Sequence, residues 1–204
     1  LSLLETLSYQ SLKPIIDDLE REPPNILILR AEDKRFFCAG GDLKDVRNAL
    51  SVPEAGAEMC QYMTAQLNRL RRLSSFIIVA VDGGAIGGGA ELTTVADYIL
   101  ADRRSVLGFV QLRMGVTTGW GGAARLEQKV GRSRATQLLI FSERLTAMEA
   151  FEYGWVDQVS DVVSQDLEKI VSRLQQLPIH SFQKMMKSRR GQLNEQQAFE
   201  QTWA

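Results

Sequence analysis

Apolar residues follow two rhythms along this chain, one typical of strands and one typical of helices. Residues 76–82 contain five Phe, Ile or Val side chains in seven positions, which predicts a strand buried on both faces. Residues 26–29, 98–102 and 156–159 predict further short strands, and residues 36–38 form another apolar segment. These segments indicate a buried sheet.

Helical spacing separates and follows these strands. Apolar residues three and four positions apart predict helices over residues 3–19, 51–73, 90–96, 120–130, 133–142, 164–177, 180–189 and 194–203. Thr146 and Glu149 have the spacing of a capping box, which predicts another helix ending at Gly154. Residues 108–122 are rich in glycine and are expected to be mainly a loop, and long loops in compact domains commonly have a function. Strands early and helices late predict an α/β domain.

Two strand-to-helix corners are rich in glycine. The strand 76–82 leads into the run 87–89 and then into a helix that begins near Glu91, and the segment 36–38 leads into Gly40, Gly41 and Asp42. Glycine lets a ligand approach the backbone closely, and helix N-termini favour negative charge. Two such corners can aim two N–H groups at one oxygen, which is an oxyanion hole. The alternative is that the glycines only allow a helix to pack closely on a sheet.

Composition narrows the functional classes. The 204 residues are 45% hydrophobic, which suits one globular domain, and 24 Lys plus Arg nearly balance 25 Asp plus Glu, which disfavours nucleic-acid binding. We expect the basic cluster at residues 69–72 to be a solvated helix face. Cys38 and Cys60 suit a reducing compartment and lack the spacing of a zinc site. No apolar run has the length of a membrane span, so we expect no membrane partner and a cytoplasmic location, with mitochondrial targeting left open because the chain starts at Leu1.

With these motifs in this order, the chain resembles the enoyl-CoA hydratase/isomerase (crotonase) superfamily over nearly its whole length. The segments are F-C-A-G-G-D-L at 37–43, V-D-G-G-A-I-G-G-G-A-E-L at 81–92, M-G-V-T-T-G-W-G-G-A-A-R-L at 114–126 and L-T-A-M-E-A-F-E-Y-G-W-V-D at 145–157. The resemblance implies a ClpP/crotonase-like fold of stacked ββα units. Residues 1–160 would form this core without the family's first strands, and residues 161–204 a helical region that assembles a homotrimer or homohexamer.

The resemblance also assigns roles to residues. An acyl-CoA thioester would place its carbonyl oxygen between the N–H groups of Gly41 and Gly88, which would stabilise an enolate. Ala39, Gly40, Asp42, Leu43 and Gly87 would line the coenzyme A site, although Asp42 is equally explained as a helix N-cap. Trp120 would form a wall of the acyl pocket or pack in the core. No metal and no cofactor is implied, because coenzyme A belongs to the substrate.

Hydratases of the family use two carboxylates twenty positions apart. In this chain the two positions are occupied by Glu91 and Gln111, so the second side chain is an amide. An amide neither ionises nor exchanges protons near neutral pH, which argues against ordinary hydration. Loss of CO2 from a malonyl-type thioester needs no strong base, since the leaving group deposits its electrons on the α-carbon. We expect Gln111 to hydrogen-bond the departing carboxylate and a protonated Glu91 to quench the enolate.

The sequences of these motifs are most similar to the ethylmalonyl-CoA/methylmalonyl-CoA decarboxylase branch, although that branch tends to carry His at position 111. We therefore expect an acyl-CoA lyase of fatty acid metabolism that decarboxylates short branched malonyl-CoA thioesters. The alternatives are a hydratase or isomerase that uses Glu91 alone, a coenzyme A-binding scaffold without activity and, less in keeping with the charge, a nucleic-acid-binding protein.

Overall fold

Two four-stranded sheets form the centre of the structure, a computed structural model that describes residues 12–32, 35–40 and 53–203. The strands are β1 Ile26–Arg30, β2 Phe36–Cys38, β3 Phe76–Val81, β4 Gly84–Ile86, β5 Tyr98–Asp102, β6 Val106–Gly108, β7 Leu145–Thr146 and β8 Gln158–Ser160. The helices are α1 Leu12–Arg21, α2 Pro53–Arg72, α3 Gly88–Thr93, α4 Gly122–Val130, α5 Arg132–Phe141, α6 Ala147–Glu152, α7 Val163–Gln175, α8 Ile179–Arg189 and α9 Glu195–Trp203.

Strands β1 to β6 alternate between the two sheets along the chain, whereas β7 stays in the same sheet as β6. The first sheet has the order β1-β3-β5-β8 with all neighbours parallel, and the second has the order β2-β4-β6-β7 with only β7 antiparallel. Each long strand is thus followed by a short strand of the other sheet and then by helical chain. This is the predicted stacking of ββα units, so the predicted fold class is confirmed.

The central strand β3 is buried on both faces, as its apolar run predicts. Ile77, Val79 and Val81 belong to the main core between the sheets and helices. Ile78 and Ala80 point the other way, into a second cluster with side chains of α7. Helix α7 therefore covers the outer face of the first sheet, and β3 contributes side chains to both clusters, as does β5.

Three predicted boundaries are wrong for identifiable reasons. The segment 84–86 is strand β4, which pairs with β2. Gly84 is needed there because an added β-carbon would lie 2.6 Å from the ring of Phe36 on β2. Helix α3 begins at Gly88 and not at residue 90. The last strand starts at Gln158, because the N–H groups of Trp155 and Val156 still donate to Ala150 O at the end of α6.

The predicted loop at 108–122 contains two ordered elements. Strand β6 ends at Gly108, and a 3₁₀ helix covers Gln111–Met114 before Gly115 in a left-handed conformation. The Thr64 hydroxyl of α2 donates to Gly119 O over 3.0 Å, which fixes the end of the loop.

The predicted capping box is confirmed. Thr146 N donates to Glu149 Oε2 over 2.8 Å, and Glu149 N donates back to the Thr146 hydroxyl. The predicted helix at 3–19 extends into residues outside the described ranges, which begin at Leu12. Within those ranges, no helix combines the length and the hydropathy that crossing a membrane requires.

Candidate active site

The two glycine corners lie against each other. A β-carbon added to Gly40, whose φ is +95°, would be 3.1 Å from the nitrogen of Gly88, and one added to Gly89 would overlap the carbonyl of Cys38. The end of β2 and the start of α3 therefore meet backbone to backbone, and only glycine fits at these two positions. Close packing thus explains Gly40 and Gly89.

Gly88 remains available for a ligand by its place in α3. It is the first residue of that helix, where an N–H group has no intrahelical acceptor. The preceding Gly87 has a φ of +60°, and a β-carbon added there would meet no atom within 4 Å. The backbone at Gly87 therefore borders open space. Gly41, Asp42 and Leu43 lie outside the described residues, so their assigned roles stay predictions.

Glu91 is buried, and both of its carboxylate oxygens are hydrogen-bonded twice. Oε1 accepts from Gln111 Nε2 over 3.0 Å and from Gly119 N over 3.2 Å. Oε2 accepts from Trp120 N over 2.8 Å and from Gly122 N over 2.9 Å. One side chain of α3 thereby holds the whole turn that precedes α4.

These contacts decide what Glu91 can do chemically. A carboxylate offers about four lone-pair sites, and here four N–H donors occupy them. A carboxylic acid proton would face an N–H group instead of an acceptor. The arrangement suits an ionised anchor and does not support the predicted role of Glu91 as the group that protonates the enolate.

Gln111 lies beside Glu91, as the family resemblance implies. Its buried side chain directs the Nε2 group to the carboxylate, which can only accept and so fixes the orientation of the amide. Its Oε1 atom is buried and has no hydrogen-bond partner among the described residues. The Gln111 NH2 group therefore donates one N–H to Glu91. A substrate carboxylate would have to bind to the same NH2 group.

Arg125 is a site residue that the sequence analysis missed. This buried side chain donates from Nε to the Thr94 hydroxyl over 2.9 Å and from Nη2 to Trp120 O over 2.7 Å. Burial is the main cause that lowers the pKa of Arg125 to about 10, and the charge of Arg71 lowers it further, whereas Glu91 opposes both. Its only signal in the sequence is an arginine directly before Leu126 in a helix start that is otherwise apolar.

Trp120 connects Glu91 of α3 with Arg125 of α4. Its N–H donates to Glu91 and its carbonyl accepts from Arg125, so its backbone is held by a carboxylate on one side and a guanidinium on the other. Its ring covers the Cα atom of Gly88, because a β-carbon added there would be 2.5 Å from Cη2 of the indole. The half-buried ring also packs on the main core. The predicted packing in the core is therefore observed, and the role of Trp120 as a wall of the acyl pocket stays a prediction.

The other predicted site residues border the same corner. Ala39 is exposed directly before Gly40, at the end of β2. Roles of Ala39, Gly40 and Gly87 in coenzyme A binding stay predictions. Among the described side chains, no group of three or more His, Cys, Asp or Glu is arranged to hold a metal ion.

Comparison with known proteins identifies relatives of this chain. The chain is 41% identical over 126 residues to ethylmalonyl-CoA decarboxylase of Rattus norvegicus and 40% identical over 146 residues to the protein of that name from Xenopus laevis. These matches cover 62% and 71% of the chain but only 42% and 48% of the relatives, so the chain spans less than half of their length.

The fold matches solved structures of two proteins titled enoyl-CoA hydratase. The structure from Bacillus anthracis has a TM-score of 0.80 and 25% identity, with 96% of this chain and 77% of that chain covered. The structure from Thermoplasma volcanium has the same TM-score and identity, with 97% and 79% covered. The sequence profile of the enoyl-CoA hydratase/isomerase family matches residues 8–203. The chain therefore belongs to the enoyl-CoA hydratase/isomerase family.

Proposed function

We propose that the protein decarboxylates short branched malonyl-CoA thioesters, with ethylmalonyl-CoA and methylmalonyl-CoA as the first candidates. The names of the relatives that are about 40% identical support this reaction. The site supports it independently, because it offers a backbone corner for the thioester oxygen and lacks a pair of titratable carboxylates.

The single observation that carries the proposal is the hydrogen bonding of the Glu91 carboxylate. Hydration of an enoyl thioester needs a general acid and a general base in reach of one water molecule. Here the one carboxylate is held by four N–H donors, and the neighbouring position 111 carries an amide. Such a site is poorly equipped to move protons to and from water, whereas decarboxylation requires no base.

The proposed reaction places charge where the backbone can stabilise it. The bond between the α-carbon and the carboxylate breaks, and its electron pair forms the thioester enolate while CO2 leaves. The enolate oxygen lies at the N–H of Gly88 and, as predicted, at that of Gly41. One such donor contributes about 2.7–4 kcal/mol to transition-state stabilisation. The α-carbon then takes up one proton, which we assign to water because four N–H donors surround the Glu91 carboxylate.

A paired assay tests this proposal. CO2 release from ethylmalonyl-CoA and methylmalonyl-CoA is measured beside hydration of crotonyl-CoA with the same preparation. We expect decarboxylation to exceed hydration by a wide margin. Hydration without decarboxylation would identify a hydratase instead, and thermal stabilisation by acyl-CoA without any turnover would identify a binding subunit.

Replacing Gln111 with glutamate should lower the rate of decarboxylation by about tenfold or more, because a second carboxylate 3.0 Å from Glu91 Oε1 repels it and the substrate carboxylate. The matched control is Gln175→Glu, which makes the same change on an exposed position of α7. Unchanged turnover in Gln111→Glu would remove Gln111 from the mechanism.

Replacing Arg125 with methionine should reduce kcat by about 10- to 100-fold, since misplacement of a site wall by 1 Å has effects of this size. The free energy of unfolding should fall by less than the loss of two hydrogen bonds alone would cause, because the variant no longer buries a charge. The control is Arg132→Met on the exposed start of α5. Equal kcat values for the two variants would show that Arg125 does not position Trp120.

A further inference from the structure

We propose that the indole ring of Trp120 determines which α-substituents the enzyme accepts, admitting methyl and ethyl groups and excluding longer chains. The inference rests on the proposed decarboxylation of branched malonyl-CoA thioesters. It is carried by two features of the described residues, a Trp120 backbone that is hydrogen-bonded through both its N–H and its carbonyl and a ring that covers Gly88.

The backbone at Trp120 has little freedom to move. Its N–H donates to Glu91 Oε2 over 2.8 Å, and its carbonyl accepts from Arg125 Nη2 over 2.7 Å. Both partners are buried side chains on different helices, α3 and α4. The position of the indole is therefore set by the same network that anchors the turn.

The neighbours of Trp120 are equally constrained. A β-carbon added to Gly119 would lie 2.5 Å from Cys60 Sγ, and one added to Gly122 would lie 2.5 Å from Glu91 Cγ. The Thr64 hydroxyl also holds Gly119 O. The turn is packed against α2 on one side and α3 on the other, so it cannot shift to enlarge the pocket.

The ring lies where an α-substituent has to go. Its Cη2 and Cζ3 atoms cover the Cα of Gly88, the residue whose N–H is proposed to bind the thioester oxygen. From bond lengths, the α-carbon of an acyl group is about 2.4 Å from its carbonyl oxygen. A substituent on that carbon therefore comes within a few ångströms of the ring.

The chemistry of the ring fits the substrates proposed. An indole face packs well against a short alkyl group, and a bound anion gains no hydrogen bond from it. It is also too rigid to fold away, as a methionine in its place would do. A small apolar branch is thus accommodated, whereas a longer branch meets a wall.

The test compares Trp120→Ala and Trp120→Phe with wild type on methylmalonyl-, ethylmalonyl- and butylmalonyl-CoA. We expect the ratio of kcat/KM for the butyl to the methyl substrate to rise at least about tenfold in Trp120→Ala, in line with the discrimination a pocket makes per methylene group, and less in Trp120→Phe. The control is Trp203→Ala, since Trp203 is 80% exposed at the end of α9. A uniform fall for all substrates, or an unchanged ratio, would overturn the inference.

A second measurement separates this inference from the proposed reaction. The affinities of propionyl-, butyryl- and hexanoyl-CoA, which carry the same α-substituents without a carboxylate, are measured by calorimetry for wild type and Trp120→Ala. If wild type releases no CO2, the proposed function fails, and this series still decides the role of Trp120. A selective gain in hexanoyl-CoA affinity supports it, and equal changes for all three ligands contradict it.

Discussion

Replacing Glu91 with glutamine is expected to lower the free energy of unfolding by about 1–3 kcal/mol, the cost of leaving a buried hydrogen-bond donor without its acceptor. Glutamine keeps the shape of the side chain but exchanges one acceptor oxygen for an NH2 donor. Placed at Oε2, the NH2 group meets the N–H groups of Trp120 and Gly122, and placed at Oε1 it meets that of Gly119. Either orientation leaves at least one buried donor without an acceptor.

Urea unfolding followed by circular dichroism measures this effect. The control is Glu127→Gln on the exposed side of α4, where a change within about 0.5 kcal/mol is expected for a surface site. If Glu91→Gln is as stable as Glu127→Gln, the four hydrogen bonds do not anchor the turn. Glu91 could then serve as the proton donor.

Replacing Gly88 with alanine is expected to reduce kcat/KM by about 100-fold or more, the size of effect that follows from losing one oxyanion donor. The helical backbone tolerates alanine at this position, so the chain should still fold. The new β-carbon, however, would lie 2.5 Å from the Trp120 ring. The Trp120 ring and the start of α3 must then move apart, which changes the space next to the N–H group of residue 88.

A double-mutant cycle gives this prediction its control. In the Trp120→Ala background the ring is absent, so Gly88→Ala should cost much less activity than in wild type. Thermal unfolding of all four proteins shows whether the fold is kept. An equal loss in both backgrounds would mean that the ring does not contact Gly88 in the working enzyme, and no loss in either would remove Gly88 from the site.

Local patterns were sufficient for much of the fold. The apolar run at 76–82 identified a strand buried on both faces, and Thr146 with Glu149 identified the start of α6. Strands β4 and β6 were missed, because each is short and the glycine at residue 84 is explained only by the Phe36 ring on the neighbouring strand. Such pairing depends on residues far away in the chain.

The site shows the same division. The family resemblance placed Glu91 and Gln111 in one site, and the two glycine corners were expected to lie close to each other. The three backbone donors to Glu91 come from residues about thirty positions later, and nothing in a run of glycine and tryptophan marks them as donors. The role of Arg125 was hidden for the same reason, because its acceptors are a backbone carbonyl and a hydroxyl.

The most direct test of the proposed chemistry is the reaction of ethylmalonyl-CoA with the purified chain in D2O. Decarboxylation through an enolate predicts equimolar CO2 and butyryl-CoA that carries one deuterium at its α-carbon, with negligible hydration of crotonyl-CoA by the same preparation. Hydration of crotonyl-CoA without CO2 release, or no turnover of either thioester, would contradict it.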